Sequence, residues 1–221
     1  MQQRTALILG ASGLTGGHCL EILLHDPTYS HVSILVRRRM DIEHPKLEQH
    51  MVDFELLQYS APLLKADDVF CCLGTTIKTA GSQEAFKRVD YEYPLNAAQL
   101  AFKNGVQNFL LVSSNGADAA SKIFYSRTKG ELESALKKIG FKSLSIFRPS
   151  LLIGKRSEGR FGEKLGEIIG WLLKPLLIGP LKKFRPIEAR LVACAMVNVA
   201  KSGLKGTHIF ESDEIQTIGQ R

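Results

Sequence analysis

Residues 5–17 constrain this chain more than any other stretch: Thr-Ala-Leu-Ile-Leu runs directly into Gly-Ala-Ser-Gly-Leu-Thr-Gly-Gly. The aliphatic run ends at Gly10, and Gly13 and Gly16 follow at three-residue intervals. Leu14, Cys19, Leu20, Ile22, Leu23 and Leu24 then trace the apolar stripe of a helix. Strand, glycine turn and helix in this order form the arrangement that receives a dinucleotide pyrophosphate. Gly10 permits the tight turn, Gly13 lets the backbone approach the phosphates, and Gly16 lets the helix lie close on the strand. The helix N-terminus then offers unpaired N–H groups and the positive end of its dipole to the anion.

Downstream, short apolar runs alternate with helical periodicity. Strands are predicted over 5–9, 32–36, 48–53, 68–73, 107–113, 143–147 and 207–211. Helices are predicted over 14–25, 55–64, 82–104, 121–139, 161–173 and 188–203. Runs such as Ala-Leu-Ile-Leu and Phe-Leu-Leu-Val are apolar throughout, as in parallel strands covered on both faces. The expected fold is therefore α/β, a Rossmann-like doubly wound parallel sheet in one domain spanning 1–221. Between 154 and 190 the alternation loosens among Gly154, Gly159, Gly162, Gly166, Gly170, Pro175, Gly179, Pro180 and Pro186. This segment is expected to form a small C-terminal lobe over the carboxyl edge of the sheet, where ligands of such sheets bind.

The 221 residues suffice for one α/β domain with a small appendage. Cys19, Cys71, Cys72 and Cys194 lack metal or C-x-x-C spacing and read as thiols of a reducing compartment. The six histidines form no ligand pattern, so no metal is assigned. No leader and no membrane-spanning run is seen, which makes the cytoplasm the expected location. The formal charge of +7 lacks a basic tail or a nucleic-acid motif, so no nucleic-acid partner is expected. The apolar stretch 168–178 is too short to span a bilayer and is broken by Pro175, and it reads as lobe core.

A second signal is Tyr125-Ser-Arg-Thr-Lys129, early in the helix after the fifth strand. A spacing of four puts both side chains on one helical face. A free phenol is a poor proton donor at neutral pH, and a neighbouring cation activates it. Ser113 and Ser114 close the preceding strand, where a hydroxyl can hydrogen-bond a carbonyl or alcohol oxygen while the tyrosine exchanges its proton. Serine, tyrosine, lysine and the glycine loop together form a catalytic set.

By these residues the chain resembles the short-chain dehydrogenase/reductase superfamily, in its atypical or extended branch. Asp53 and Phe147-Arg148-Pro149 add to the likeness. Cys71-Cys72-Leu73-Gly74-Thr75-Thr76, Val89-Asp90 and Ser113-Ser114-x-Gly116-Ala117-Asp118 narrow it to the Tat-interacting-protein-like subgroup. The resemblance implies that Ser12, Gly13, Leu14 and Thr15 wrap the pyrophosphate. It implies that Leu73 and Gly74 line the adenosine and ribose side, with Thr75 and Thr76 close by, and that Asp53 and Phe54 border the adenine. It further implies that Tyr125 and Lys129 hold the nicotinamide ribose, that Leu152 closes over the nicotinamide, and that Arg160 reaches the cofactor from the lobe. Leu14 and Val36 depart from the human member of that subgroup, which carries an acidic residue and a glycine there.

Cofactor choice follows from the residues after the second strand. Binders of NAD place a carboxylate about 20 positions beyond the loop to hold the ribose 2′-hydroxyl. Here Leu35-Val36-Arg37-Arg38-Arg39 stands in that place, and the nearest acid is Asp41. Guanidinium forks on Arg37 and Arg38 suit a 2′-phosphate, which selects NADP(H). The sequence thus predicts an NADPH-dependent reductase of a small carbonyl substrate, with Ser114, Tyr125 and Lys129 catalytic. The alternative is an NADPH sensor that reports to a protein partner with little turnover.

Overall fold

A computed structural model describes residues 3–154 and 184–221. The glycine motif opens the fold, with strand β1 (Arg4–Leu9) and helix α1 (Leu14–His25) on either side of it. Strands β2 (Tyr29–Val36), β3 (Leu47–Met51), β4 (Asp68–Cys71), β5 (Asn108–Val112), β6 (Ser143–Arg148) and β9 (Gly206–Glu211) complete a seven-stranded sheet. Its order is β3-β2-β1-β4-β5-β6-β9, and every neighbouring pair is parallel. The winding reverses between β1 and β4, which opens a crevice at their carboxyl ends.

Alternation along β1 explains why the strand is apolar throughout. Ala6 and Ile8 face a layer containing Cys19, Leu20 and Leu23 of α1. That layer also holds Val192 and Met196 of α6 (Ala189–Lys201) and Ile215 of α7 (Ser212–Gly219). Leu7 and Leu9 face the opposite layer, with Ala97 and Ala101 of α4 (Tyr93–Lys103) and Leu132 and Leu136 of α5 (Phe124–Lys137). Both faces are covered, as parallel sheets require.

Several elements differ from the sequence expectation. The helix predicted over 82–104 is broken into α3 (Gln83–Lys87), a π-helical turn (Arg88–Glu92) and α4. Pro94 lacks an N–H, and its ring crowds the carbonyl four residues back, that of Asp90, which widens the turn there. Residues 54–63 form a 3-10 helix containing Pro62 rather than an α-helix. A short α2 (Ile77–Ala80) was not expected, nor was the pair β7 (Leu152–Ile153) and β8 (Ile187–Glu188). Helix α7 was also missed, although Glu211 and Glu214 build a reciprocal capping box at its start. The predicted helix 161–173, Arg160 and most of the lobe lie outside the described residues.

Candidate functional site

The glycine turn is built by close backbone approach. Gly10 has φ +85°, and a Cβ on it would lie 2.7 Å from the Cys72 carbonyl oxygen. A Cβ on Gly16 would stand 2.1 Å from the Gly10 carbonyl oxygen, so only glycine lets α1 pack this tightly on the turn. Gly13 donates its N–H to the Gly10 carbonyl at 2.9 Å and is the N-cap of α1. Among the described residues no side chain caps that end, and its first turn carries no acid. Ser12 and Gly13 are exposed there, while Thr15 is buried. An uncapped, acid-free helix N-terminus behind a sharp glycine turn fits a phosphate group.

Leu14 packs against Gly154, where a Cβ would lie 3.1 Å from its Cδ1. The chain leaving β7 therefore rests on the glycine loop, with Leu152 in β7 close behind it. Arg37 and Arg38 are exposed just beyond β2, the strand beside β1. Asp53 is the N-cap of the 3-10 helix, its carboxylate accepting the Glu55 N–H at 2.9 Å. Phe54 is buried and stacks on Tyr93 with ring centroids 5.7 Å apart, so its side chain belongs to the core.

Helix α5 carries Tyr125 and Lys129. Gly130 locks this helix against the chain after β5, since a Cβ there would stand 2.2 Å from the Ala119 nitrogen. Asp118 N–H donates to the Ser126 carbonyl at 3.1 Å and reinforces that junction. The Tyr125 ring packs on fully buried Phe86 at 5.4 Å between centroids. Lys129 is buried, and its ammonium lies 2.7 Å from Asp90 Oδ1. Burial opposes the lysine charge, but Asp90 and the Tyr125 phenol outweigh it and hold the ammonium above the ordinary lysine range.

The two serines at the end of β5 separate clearly. Ser113 Oγ donates to buried Glu133 at 2.6 Å, and Glu133 also receives the Arg148 guanidinium at 2.6 and 3.0 Å. Ser113 and Arg148 thus serve a structural network joining β5, α5 and β6. Ser114 lies outside that network, half-buried, with its hydroxyl on the Asn115 carbonyl at 3.2 Å. Leu73, Gly74 and Thr75 follow β4, the strand paired with β5. A Cβ on Gly74 would stand 3.6 Å from Lys129 Nζ, so this loop and the lysine helix meet. No local pattern in the sequence marks a role for Asp90, and only the fold brings it beside Lys129.

Residues 6–183 match the NAD dependent epimerase/dehydratase family. The chain belongs to that family. It is similar to protein HTATIP2 of Rattus norvegicus, at 43% identity over 169 residues, 75% of this chain and 69% of the relative. It is also similar to protein FMP52, mitochondrial, of Candida albicans, at 33% identity over 211 residues, 91% of this chain and 90% of the relative. These likenesses bear out an atypical short-chain dehydrogenase/reductase. Among solved structures, the Bordetella bronchiseptica enzyme WbmH in complex with NAD+ superposes with TM-score 0.73 at 17% identity, covering 96% of this chain and 76% of that one. That likeness shows the α/β Rossmann-like fold. The expected cytoplasmic location is overturned, because the fungal FMP52 relatives are mitochondrial proteins by name. Among the described residues no helix is long and apolar enough to cross a membrane.

Proposed function

We propose that this protein is an NADPH-dependent oxidoreductase of the short-chain dehydrogenase/reductase type that reduces a small carbonyl compound. The meeting of the β4 loop and the Tyr125–Lys129 helix beside the uncapped N-terminus of α1 carries this reading. Gly10, Gly13 and Gly16, with Ser12, Leu14 and Thr15, receive the pyrophosphate. Arg37 and Arg38 clamp the 2′-phosphate, and Asp53 with the Phe54 backbone borders the adenine. Leu73, Gly74 and Thr75 line the ribose side, and Leu152 closes over the nicotinamide. The reduced nicotinamide, when bound, supplies hydride to the carbonyl carbon. Ser114 donates a hydrogen bond to the carbonyl oxygen and orients it. Tyr125 gives its phenolic proton to that oxygen as alkoxide character develops, and Lys129 holds the nicotinamide ribose. The lobe within 154–190 supplies substrate specificity.

Calorimetric titration with NADPH and NADH, on wild type and on Arg37→Ala/Arg38→Ala, tests the cofactor assignment. NADPH is expected to bind at least about tenfold tighter than NADH, with the double substitution removing most of the difference. Equal affinities in wild type, or no binding of either, would overturn it.

A further inference from the structure

Residues 37–46 join β2 to β3 and open on Arg37, Arg38 and Arg39, all exposed. Met40 and Ile42 then pack, partly buried, against the layer that holds α1. Gln49 of β3 stands beside Ile34 in the sheet register, so its side chain emerges on that same face. The loop takes up its whole amide. Oε1 accepts the Met40 N–H at 3.0 Å, while Nε2 donates to the Met40 carbonyl at 3.1 Å and to the Ile42 carbonyl at 2.9 Å. The Met40 carbonyl also accepts the Ile42 N–H at 2.9 Å, which closes a three-residue turn. One side chain thus pairs with both polar groups of Met40, as a neighbouring strand would, and fixes the backbone directly after Arg39. The farther half of the loop is tied elsewhere, with Lys46 Nζ donating to the Asp26 carbonyl at 2.9 Å. Among the described residues, Gln49 is the side chain that hydrogen-bonds the arginine half.

We propose that Gln49 is a specificity-positioning residue: its amide holds the 40–42 turn so that Arg37 and Arg38 are presented ready-placed to a 2′-phosphate. This rests on the NADP(H) reading above and extends it to a residue that acts only through the arginines.

An arginine on loose backbone gives up chain and rotamer freedom when it forms a bidentate pair, and that loss offsets the pair. Gln49 makes part of the loss fall on folding instead of on binding. NADH has no 2′-phosphate, so its binding is indifferent to the turn. The role therefore shows as a change in preference between two cofactors. Glutamine suits the place because one planar group supplies an acceptor and two donors. Methionine of similar length supplies neither, and glutamate supplies the acceptor alone.

The test is calorimetric titration with NADPH and with NADH on wild type, Gln49→Met, Arg37→Ala/Arg38→Ala and the triple variant. In Gln49→Met the NADPH dissociation constant is expected to rise about tenfold while that of NADH stays within about twofold. Without the two arginines, Gln49→Met should change NADPH affinity by less than about twofold, since the residues act as one unit. A second readout needs no cofactor: trypsin should cut after Arg37, Arg38 or Arg39 at least about fivefold faster in Gln49→Met than in wild type. An unchanged preference would overturn the proposal. So would an equal loss for both cofactors, or a loss that persists once the arginines are gone. Should Gln49→Met fail to fold, Gln49→Glu carries the same expectation, because its carboxylate makes neither donated bond and faces two carbonyl oxygens. Wild type without a preference for NADPH would defeat the arginine clamp and the specificity role with it. The cleavage rates would still separate that failure from a turn that Gln49 does not hold.

Discussion

A methyl group is enough to test the glycine turn. With a Cβ 2.1 Å from the Gly10 carbonyl, Gly16→Ala must push α1 off β1. We expect a loss of about 3 kcal/mol in chemical denaturation, the upper range for overpacking a tight site, together with loss of NADPH binding. Tyr125 is tested by subtraction of one oxygen. Tyr125→Phe keeps the ring on Phe86, so NADPH affinity measured by calorimetry should stay within about threefold of wild type. Any carbonyl reduction should fall by roughly 10²–10⁴, the usual contribution of a positioned proton donor. Retained turnover in that variant would remove Tyr125 from the chemistry.

At the scale of elements, α5 is the piece on which the site depends, and Glu133 is its hidden fastening. Its carboxylate is 2% exposed and is shared by Ser113 and Arg148, tying the helix to β5 and β6. Glu133→Gln should cost about 2–3 kcal/mol by thermal or urea unfolding, because Arg148 loses its buried partner and is left, among the described residues, with Glu211. Much of this architecture was legible beforehand. The strand–glycine–helix opening, the apolar strands and the Tyr–Lys spacing come from local periodicity and short-range chemistry, which a sequence displays. Ser113 and Ser114 could not be told apart by position alone. What separates them is a carboxylate 20 residues away in sequence. The π turn stayed hidden for a similar reason. The helix predicted over 82–104 runs through Pro94, and the Asp90 carboxylate of that turn finds Lys129 only in the folded chain. Helix α7 was passed over because its capping box sits at the very end of a strand, where the period changes from two to 3.6.

For the molecule as a whole, ion pairs between sequence-distant segments give a pH signature. Lys201 at the end of α6 meets Asp26 at 2.6 Å, just beyond α1. Burial opposes the Asp26 charge, but the Lys201 ammonium and the Thr28 N–H outweigh it and hold the carboxyl below its ordinary 3.8. A carboxyl lowered in the folded state adds stability above its unfolded value, and that stability is lost as pH falls through the lowered one. Wild type should therefore exceed Asp26→Asn by about 0.5 kcal/mol at neutral pH, the partly exposed pair being screened by solvent. The two denaturation curves should converge as pH drops below 3.8.

The two layers of the sheet have different histories along the chain. Among the described residues, the layer with α4 and α5 is closed by residues no later than about 146, apart from partly buried Ile209. The layer holding α1 waits for α6 and α7: Val192, Met196 and Ile215 complete it, and Met196 sulfur lies 4.0 Å from that of Cys19. Strand β9 likewise joins β6 across an interval that begins at Arg148 and ends at Gly206. In chain order the glycine turn comes well before the segments that clamp it. A chain lacking 189–219 is expected to fold the layer with α4 and α5 and leave α1 loose, so the N-terminal end of α1 is fixed only once α6 and α7 are in place.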